Sequence, residues 1–135
     1  PLFKPPYGRL VAIDLNAGNI LWTVANGDGP RDHPAIRHLD LPPLGQGGRA
    51  APLVTKTFVF LGEGANVGAA FLPPGSGGKM FRAYDKATGD VVWEMELPGG
   101  TTAAPMSYMV DRKQYIVVTV GWDDMPSEYV ALALP

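Results

Sequence analysis

Two eleven-residue stretches carry the same punctuation: "AIDLNAGNILW" from Ala12 to Trp22 and "AYDKATGDVVW" from Ala83 to Trp93. Each places Ala first, Asp third, Gly seventh and Trp eleventh, and the second copy begins 71 residues after the first. That spacing constrains the backbone. An Asp carboxylate can accept hydrogen bonds from turn amides, and a Gly four residues on supplies the φ > 0 position that closes a hairpin. Asp14 to Gly18 and Asp85 to Gly89 are therefore expected to be turns between strands. Trp22 and Trp93 then sit at one place on the outgoing strand, and Ala12 and Ala83 at one place on the incoming strand. A large flat ring beside a small residue, at a fixed offset, is a docking arrangement between stacked copies of one unit.

Further echoes set the length of the unit. "AAPLV" at Ala50 to Val54 returns as "AAPMS" at Ala103 to Ser107, and "VALAL" at Val130 to Leu134 mimics "VAIDL" at Val11 to Leu15. These intervals give a unit of about fifty residues, near the period of four-stranded propeller blades. The longer Ala12-to-Ala83 interval contains two Gly/Pro-rich insertions, at 26–49 and 62–79.

Between the turns run short β-branched or aromatic segments: "RLVAIDL", "NILWTV", "APLVT", "TFVFLG", "MFRAYD", "DVVWEMEL", "PMSYMV", "QYIVVTV" and "EYVALAL". Each is bounded by Gly, Pro, Asn or Asp, which is the strand signature. They predict nine short strands and an all-β protein. The 17 Gly and 14 Pro support this, because turn residues at such density oppose long helices. A formal net charge of -2 gives no electrostatic reason to propose nucleic acid or an anionic membrane as partner. The chain has no cysteine, so the redox compartment is not legible from disulfides. "PLFKPPYGRL" at the start reads as the middle of a longer chain, so a fragment is expected.

Lettering the strands A to D within each blade, residues 7–25 are expected to supply C and D of one blade. Residues 50–98 supply a complete blade, and 102–135 supply A to C of a closing blade. The whole of 1–135 is then one C-terminal propeller segment. In such a ring the D-to-A and B-to-C connections lie around the axial funnel where ligands bind. The stretches 26–49, 62–79 and 121–128 are connections of those kinds, and loops of such length are usually functional or disordered.

The pattern A-x-D-x-x-x-G-x-x-x-W resembles the tryptophan-docking motif of the eight-bladed quinoprotein dehydrogenases, which use pyrroloquinoline quinone (PQQ) and usually Ca²⁺. "PPYGRLVAIDLNAGNILW", "GRAAPLVTKTFVFLGEG", "GKMFRAYDKATGDVVWEMELPGGTTAAPMSYMVDRKQYIVV" and "YVALALP" together resemble the C-terminal blades of the membrane-type glucose, polyol and quinate dehydrogenase branch. The resemblance implies oxidation of a sugar, polyol or alcohol hydroxyl by the full-length parent, with PQQ and Ca²⁺ bound there. Neither cofactor is expected on the fragment alone. It implies no catalytic residue and no metal ligand in this segment, because those come mostly from earlier blades of the family. Ala12, Asp14, Gly18, Trp22, Ala83, Asp85, Gly89 and Trp93 take the role of structural docking motif. Alcohol-type members place a Trp in a Gly-Trp pair facing the substrate and cofactor pocket, where glucose-type members tend to place His. Gly121-Trp122 matches the alcohol pattern.

The implied partners are the remaining blades, a small sugar or alcohol substrate and a quinone or cytochrome electron acceptor. The implied location is periplasmic, with a possible inner-membrane anchor upstream. The isolated fragment, with open blade faces, is expected to self-associate. The rival class is a non-enzymatic propeller scaffold that binds protein partners in the cell envelope, since fold alone does not choose function.

Other patterns carry weaker chemistry. His33 and His38 flank "PAIR" and are expected to be exposed loop residues, because a metal site needs three or four converging groups. Asp123-Asp124 supplies too few oxygens for Ca²⁺ by itself. Glu94 and Glu96 alternate on a strand and are expected on its wet side. "GEGANVG" departs from the dinucleotide fingerprint by one residue and has no helix behind it. "PPGSGGKM" lacks the first Gly and the Ser/Thr of a P-loop.

Overall fold

The structure is a computed structural model that describes residues 4–65, 76–122 and 125–134. Ten strands form among them: β1 (Arg9–Asp14), β2 (Asn19–Ala25), β3 (Leu53–Val54), β4 (Phe58–Gly62), β5 (Met80–Asp85), β6 (Val91–Glu96), β7 (Gly100–Thr101), β8 (Met106–Val110), β9 (Lys113–Trp122) and β10 (Met125–Ala133). The tenth, beyond the nine expected, is β7. Two residues, one of them Gly, carry no alternation, and the strand exists only because Gly100 and Thr101 pair with Gly121 and Val120. A second difference lies at 121–128, expected as a loop. There β9 continues to Trp122 and β10 restarts at Met125. A register shift between Met125 and Glu128 absorbs Pro126, which cannot donate to a ladder.

Every pairing is antiparallel. β1 and β2 form a hairpin, β3-β4-β5-β6 a four-stranded sheet in sequence order, and β10-β9 a sheet whose other side is shared by β7 and β8. The connection 26–49 carries two short 3-10 turns, Gly29–Asp32 and Arg37–Leu39.

Alternation on the middle sheet divides the core between its two faces. One face buries Val59, Leu61 and Tyr84 against Leu10 and Val24 of the first hairpin, with Ala50 beside them. The other buries Phe81 with Leu97, Val118 and Val120, and packs Ile116, Met125, Val130 and Leu132 of the last sheet against them. Phe81 stacks with Phe60 at 6.1 Å between centroids. Full burial of a side chain such as Phe81 contributes roughly 1.5–3 kcal/mol, so both seams are hydrophobic at heart. The three sheets therefore stack in sequence, with β5 buried between its neighbours.

Candidate functional site

The repeated stretches fold alike to the residue. In each hairpin Ala faces Trp across the strands, Ala12 opposite Trp22 and Ala83 opposite Trp93, and in each the register slips immediately afterwards. Asp14 Oδ1 accepts the backbone N–H of Asn16 at 2.8 Å and of Ala17 at 3.2 Å. Asp85 Oδ1 accepts those of Ala87 at 2.7 Å and Thr88 at 3.2 Å. Gly18 and Gly89 close the turns at φ 71° and 81°.

Trp22 then reaches the second hairpin. Its Nε1–H donates to the Lys86 carbonyl at 3.1 Å, and a Cβ placed on Gly89 would stand 2.8 Å from its Cε3. Gly89 thus serves two needs, a left-handed backbone and a bare surface for the indole. Trp93 meets Phe81 edge-on at 6.4 Å and is 42% exposed, with no second hairpin of this kind against it among the described residues.

Polar groups lock the first seam. Asn26, buried at the end of β2, donates through Nδ2 to the Gly62 carbonyl at 2.9 Å and accepts the Tyr84 hydroxyl at 3.0 Å. Beside it, Arg82 bridges Glu63 at 2.8 Å and Glu94 at 2.9 Å. Glu63 sits in a cradle of glycines. A Cβ on Gly27 would come 2.5 Å from its Oε1, one on Gly78 would overlap its Oε2, and one on Gly48 would strike its carbonyl oxygen. Burial acts to lower the Arg82 pKa, but the hydrogen bond and charge of Glu63, joined by Tyr84 and Glu94, together hold the guanidinium above its ordinary value. Burial raises the Tyr84 phenol above its ordinary value, and the Arg82 charge offsets part of that rise. Arg82 and Glu94 also line a cavity of about 450 Å³ with Ala25, Gly27, Asp28, Pro43 and Val91. The Arg82 guanidinium there is already paired with two carboxylates.

Residues 66–75 of the connection expected at 62–79 lie outside the described residues; its described parts, 63–65 and 76–79, meet the connection 26–49 at one end of the sheets. Gly77 N–H donates to the Gly47 carbonyl at 2.5 Å, Gln46 Nε2 donates to the Gly77 carbonyl, and Ala65 N–H donates to the Thr101 carbonyl at 2.8 Å. Trp122 stands at this end, half-buried on the last residue of β9. Beneath it is Gly100, whose added Cβ would lie 2.9 Å from the indole Cζ3 and 2.8 Å from Ala65 Cα. Gly121 is buried and pairs with Gly100, so the ring rests directly on backbone. Trp122, Met125, Pro98 and Lys79 line a cavity of about 320 Å³, at the lower end of small-molecule pockets. A half-exposed indole and a lysine lining one cavity offer a flat apolar face and a positive charge, a combination that suits a planar anionic group.

The remaining candidates fall apart from this centre. His33 and His38 are exposed, and His33 Nδ1 merely accepts the Ala35 N–H at 3.2 Å. Asp123 and Asp124 lie outside the described residues. Among those described, no three His, Cys, Asp or Glu side chains converge as a metal site would require, so no residue here is assigned to Ca²⁺. Glu94 and Glu96 are exposed on β6, although Glu94 turns back to Arg82. Sequence reasoning missed Glu63 and Lys79. Each lies in a glycine run weighed only as a phosphate cradle.

Comparison with known proteins bears on the whole chain. The family described as "PQQ: Glucose/ethanol/alcohol dehydrogenase, beta-propeller domain" matches residues 1–116. A quinoprotein glucose dehydrogenase of Gluconobacter oxydans (strain 621H) is 33% identical over 100% of this chain and 16% of its own length. A quinohemoprotein alcohol dehydrogenase of Comamonas testosteroni is 34% identical over 75% of this chain and 14% of its own. The chain therefore spans about a sixth or less of these relatives. The crystal structure of the Comamonas testosteroni quinohemoprotein alcohol dehydrogenase superposes over 93% of this chain and 16% of its own with a TM-score of 0.60 and 24% identity, a likeness that carries the fold alone. A quinohemoprotein alcohol dehydrogenase of Pseudomonas putida HK5 covers 84% of this chain and 12% of its own at a TM-score of 0.53 and 26% identity.

Proposed function

We infer, since the chain belongs to the PQQ glucose/ethanol/alcohol dehydrogenase β-propeller family, that its full-length parent oxidises the hydroxyl of a sugar, polyol or alcohol with PQQ and Ca²⁺. In this reading residues 7–25, 50–98 and 102–135 are the blade parts lettered above, and the parent works in the periplasm. The observation that carries it is the half-exposed Trp122 indole, seated on Gly100 at the end where the long connections gather. A scaffold has no need of a flat aromatic wall in a cavity of that kind.

Bound PQQ would supply a carbonyl that accepts hydride, polarised by Ca²⁺. This chain's part is to bind, orient and exclude water. Trp122 offers an apolar planar face against which a ring can lie, and Met125 and Pro98 keep that side of the cavity apolar. Gly99 and Gly100 let both side chains approach the backbone, since an added Cβ at either would meet Met125 Sδ or the indole. Trp22, docked against the Lys86 carbonyl and Gly89, ties the first hairpin to the middle sheet.

The first test reconstitutes the full-length protein with PQQ and Ca²⁺ and follows dye reduction with glucose, polyols, quinate and primary alcohols. Turnover that needs both cofactors is expected, and Trp122→Ala is expected to raise KM or change the preferred substrate. Absence of both turnover and PQQ binding would move the parent to the scaffold class. The 135-residue chain alone is expected to associate through apolar faces that include Val91, Val92 and Trp93, each 42–51% exposed. A compact monomer on size-exclusion chromatography would count against that.

A further inference from the structure

Across the second seam, the Trp122 cavity is lined by a lysine with no ionic partner among the described residues. Lys79 is the residue before β5, and its backbone is held from two sides. Gly78 N–H donates to the Gly64 carbonyl at 2.9 Å, and the Lys79 carbonyl accepts Leu97 N–H at 2.9 Å. Its side chain is exposed, lines the cavity, and makes no hydrogen bond or ion pair among the described residues. Among the described residues that line the cavity, Pro98, Trp122 and Met125 are uncharged. Arg82, on the other face of the same sheet region, is the opposite case, ion-paired with both Glu63 and Glu94.

We propose that Lys79 and Trp122 form a carboxylate-accepting subsite across the seam between the middle and last sheets. The ammonium takes the carboxylate as a point charge, and the indole face takes the carbon body attached to it. A cation on a fixed backbone beside an aromatic wall is pre-organised for such a ligand, and no neutral hydroxyl uses the charge equally. The subsite rests on the dehydrogenase reading for the source of its ligand. The carboxylate belongs to PQQ, which carries three, or to a hydroxy-acid substrate, and the two sources separate by experiment.

The test uses the full-length protein with Lys79→Met and Lys79→Arg. For a substrate source, the ratio of kcat/KM for gluconate to that for sorbitol falls about tenfold or more in Lys79→Met and is largely restored in Lys79→Arg. For a cofactor source, that ratio holds, while the dissociation constant of PQQ from the cofactor-free protein, measured by equilibrium dialysis, rises by a similar factor. If neither quantity moves, the subsite is overturned.

Quenching of Trp122 emission, taken as the difference between wild type and Trp122→Phe, reads the site without turnover. Iodide should quench that emission more in wild type than in Lys79→Met, and neutral acrylamide should quench the two equally. Equal iodide quenching overturns the subsite even in an active enzyme. Unequal quenching in a protein that neither binds PQQ nor turns over substrate supports the subsite and overturns the dehydrogenase reading alone.

Discussion

Gly89→Ala, with and without Trp22, tests whether the repeated motif is a dock or only a turn. Gly89 sits at φ 81°, where a Cβ costs about 1–2 kcal/mol by backbone sterics. That Cβ would also stand 2.8 Å from Trp22 Cε3, 2.9 Å from Cδ2 and 3.1 Å from Val24 Cγ1. Two of these are below the separation that real Cβ atoms keep, so the indole must move. Displacing a packed ring in this way costs about 1–3 kcal/mol more. In wild type, Gly89→Ala should therefore destabilise by about 2–5 kcal/mol. In a Trp22→Ala background the ring is gone and the backbone cost of about 1–2 kcal/mol stays, along with the Val24 contact common to both backgrounds. The double-mutant cycle should return a coupling of about 1–3 kcal/mol. The assay is urea unfolding of the full-length protein followed by far-ultraviolet circular dichroism, which does not depend on tryptophan emission. An equal cost of Gly89→Ala in both backgrounds would refute the dock.

Two predictions concern the polar lock of the first seam. Glu63→Gln should destabilise by about 3 kcal/mol, because it leaves the buried Arg82 guanidinium with one anion in place of two; Glu94→Gln, whose side chain is 52% exposed, should cost under about 1 kcal/mol. Urea midpoints decide, and equal costs would show that burial at Glu63 does not matter. The second is a pH dependence: burial raises the folded-state pKa of Tyr84 above that of the unfolded chain, so its contribution is complete below the unfolded value of about 10. It is lost as pH rises through the folded value. Tyr84→Phe should be less stable than wild type at neutral pH, for want of the bond to Asn26, yet lose less on going to alkaline pH. Parallel alkaline losses in the two proteins would exclude Tyr84 as the source.

What the chain discloses in sequence is what its chemistry does locally. Asp14 with Gly18 and Asp85 with Gly89 write their own turns within five residues, and Trp22 and Trp93 take their register from those turns. Gly121-Trp122 was legible only through family resemblance, because nothing in a Gly-Trp pair says that Gly100 will lie beneath it. Glu63 was not legible. Its cradle comes from Gly27, Gly48 and Gly78, on two connections that converge only when the first two sheets stack. Strand β7 was hidden for the same reason, since Gly100 and Thr101 become a strand only once β9 runs long enough to meet them. The glycine runs were read for what glycine does for phosphate, namely backbone amides brought close to an anion. Here the close approach is made for the protein's own carboxylate and its own indole, and Lys79 lines the Trp122 cavity without an ionic partner among the described residues. Local punctuation fixes the units, while stacking them creates two clusters, one closed on itself by Arg82 and one lining the cavity beside Trp122.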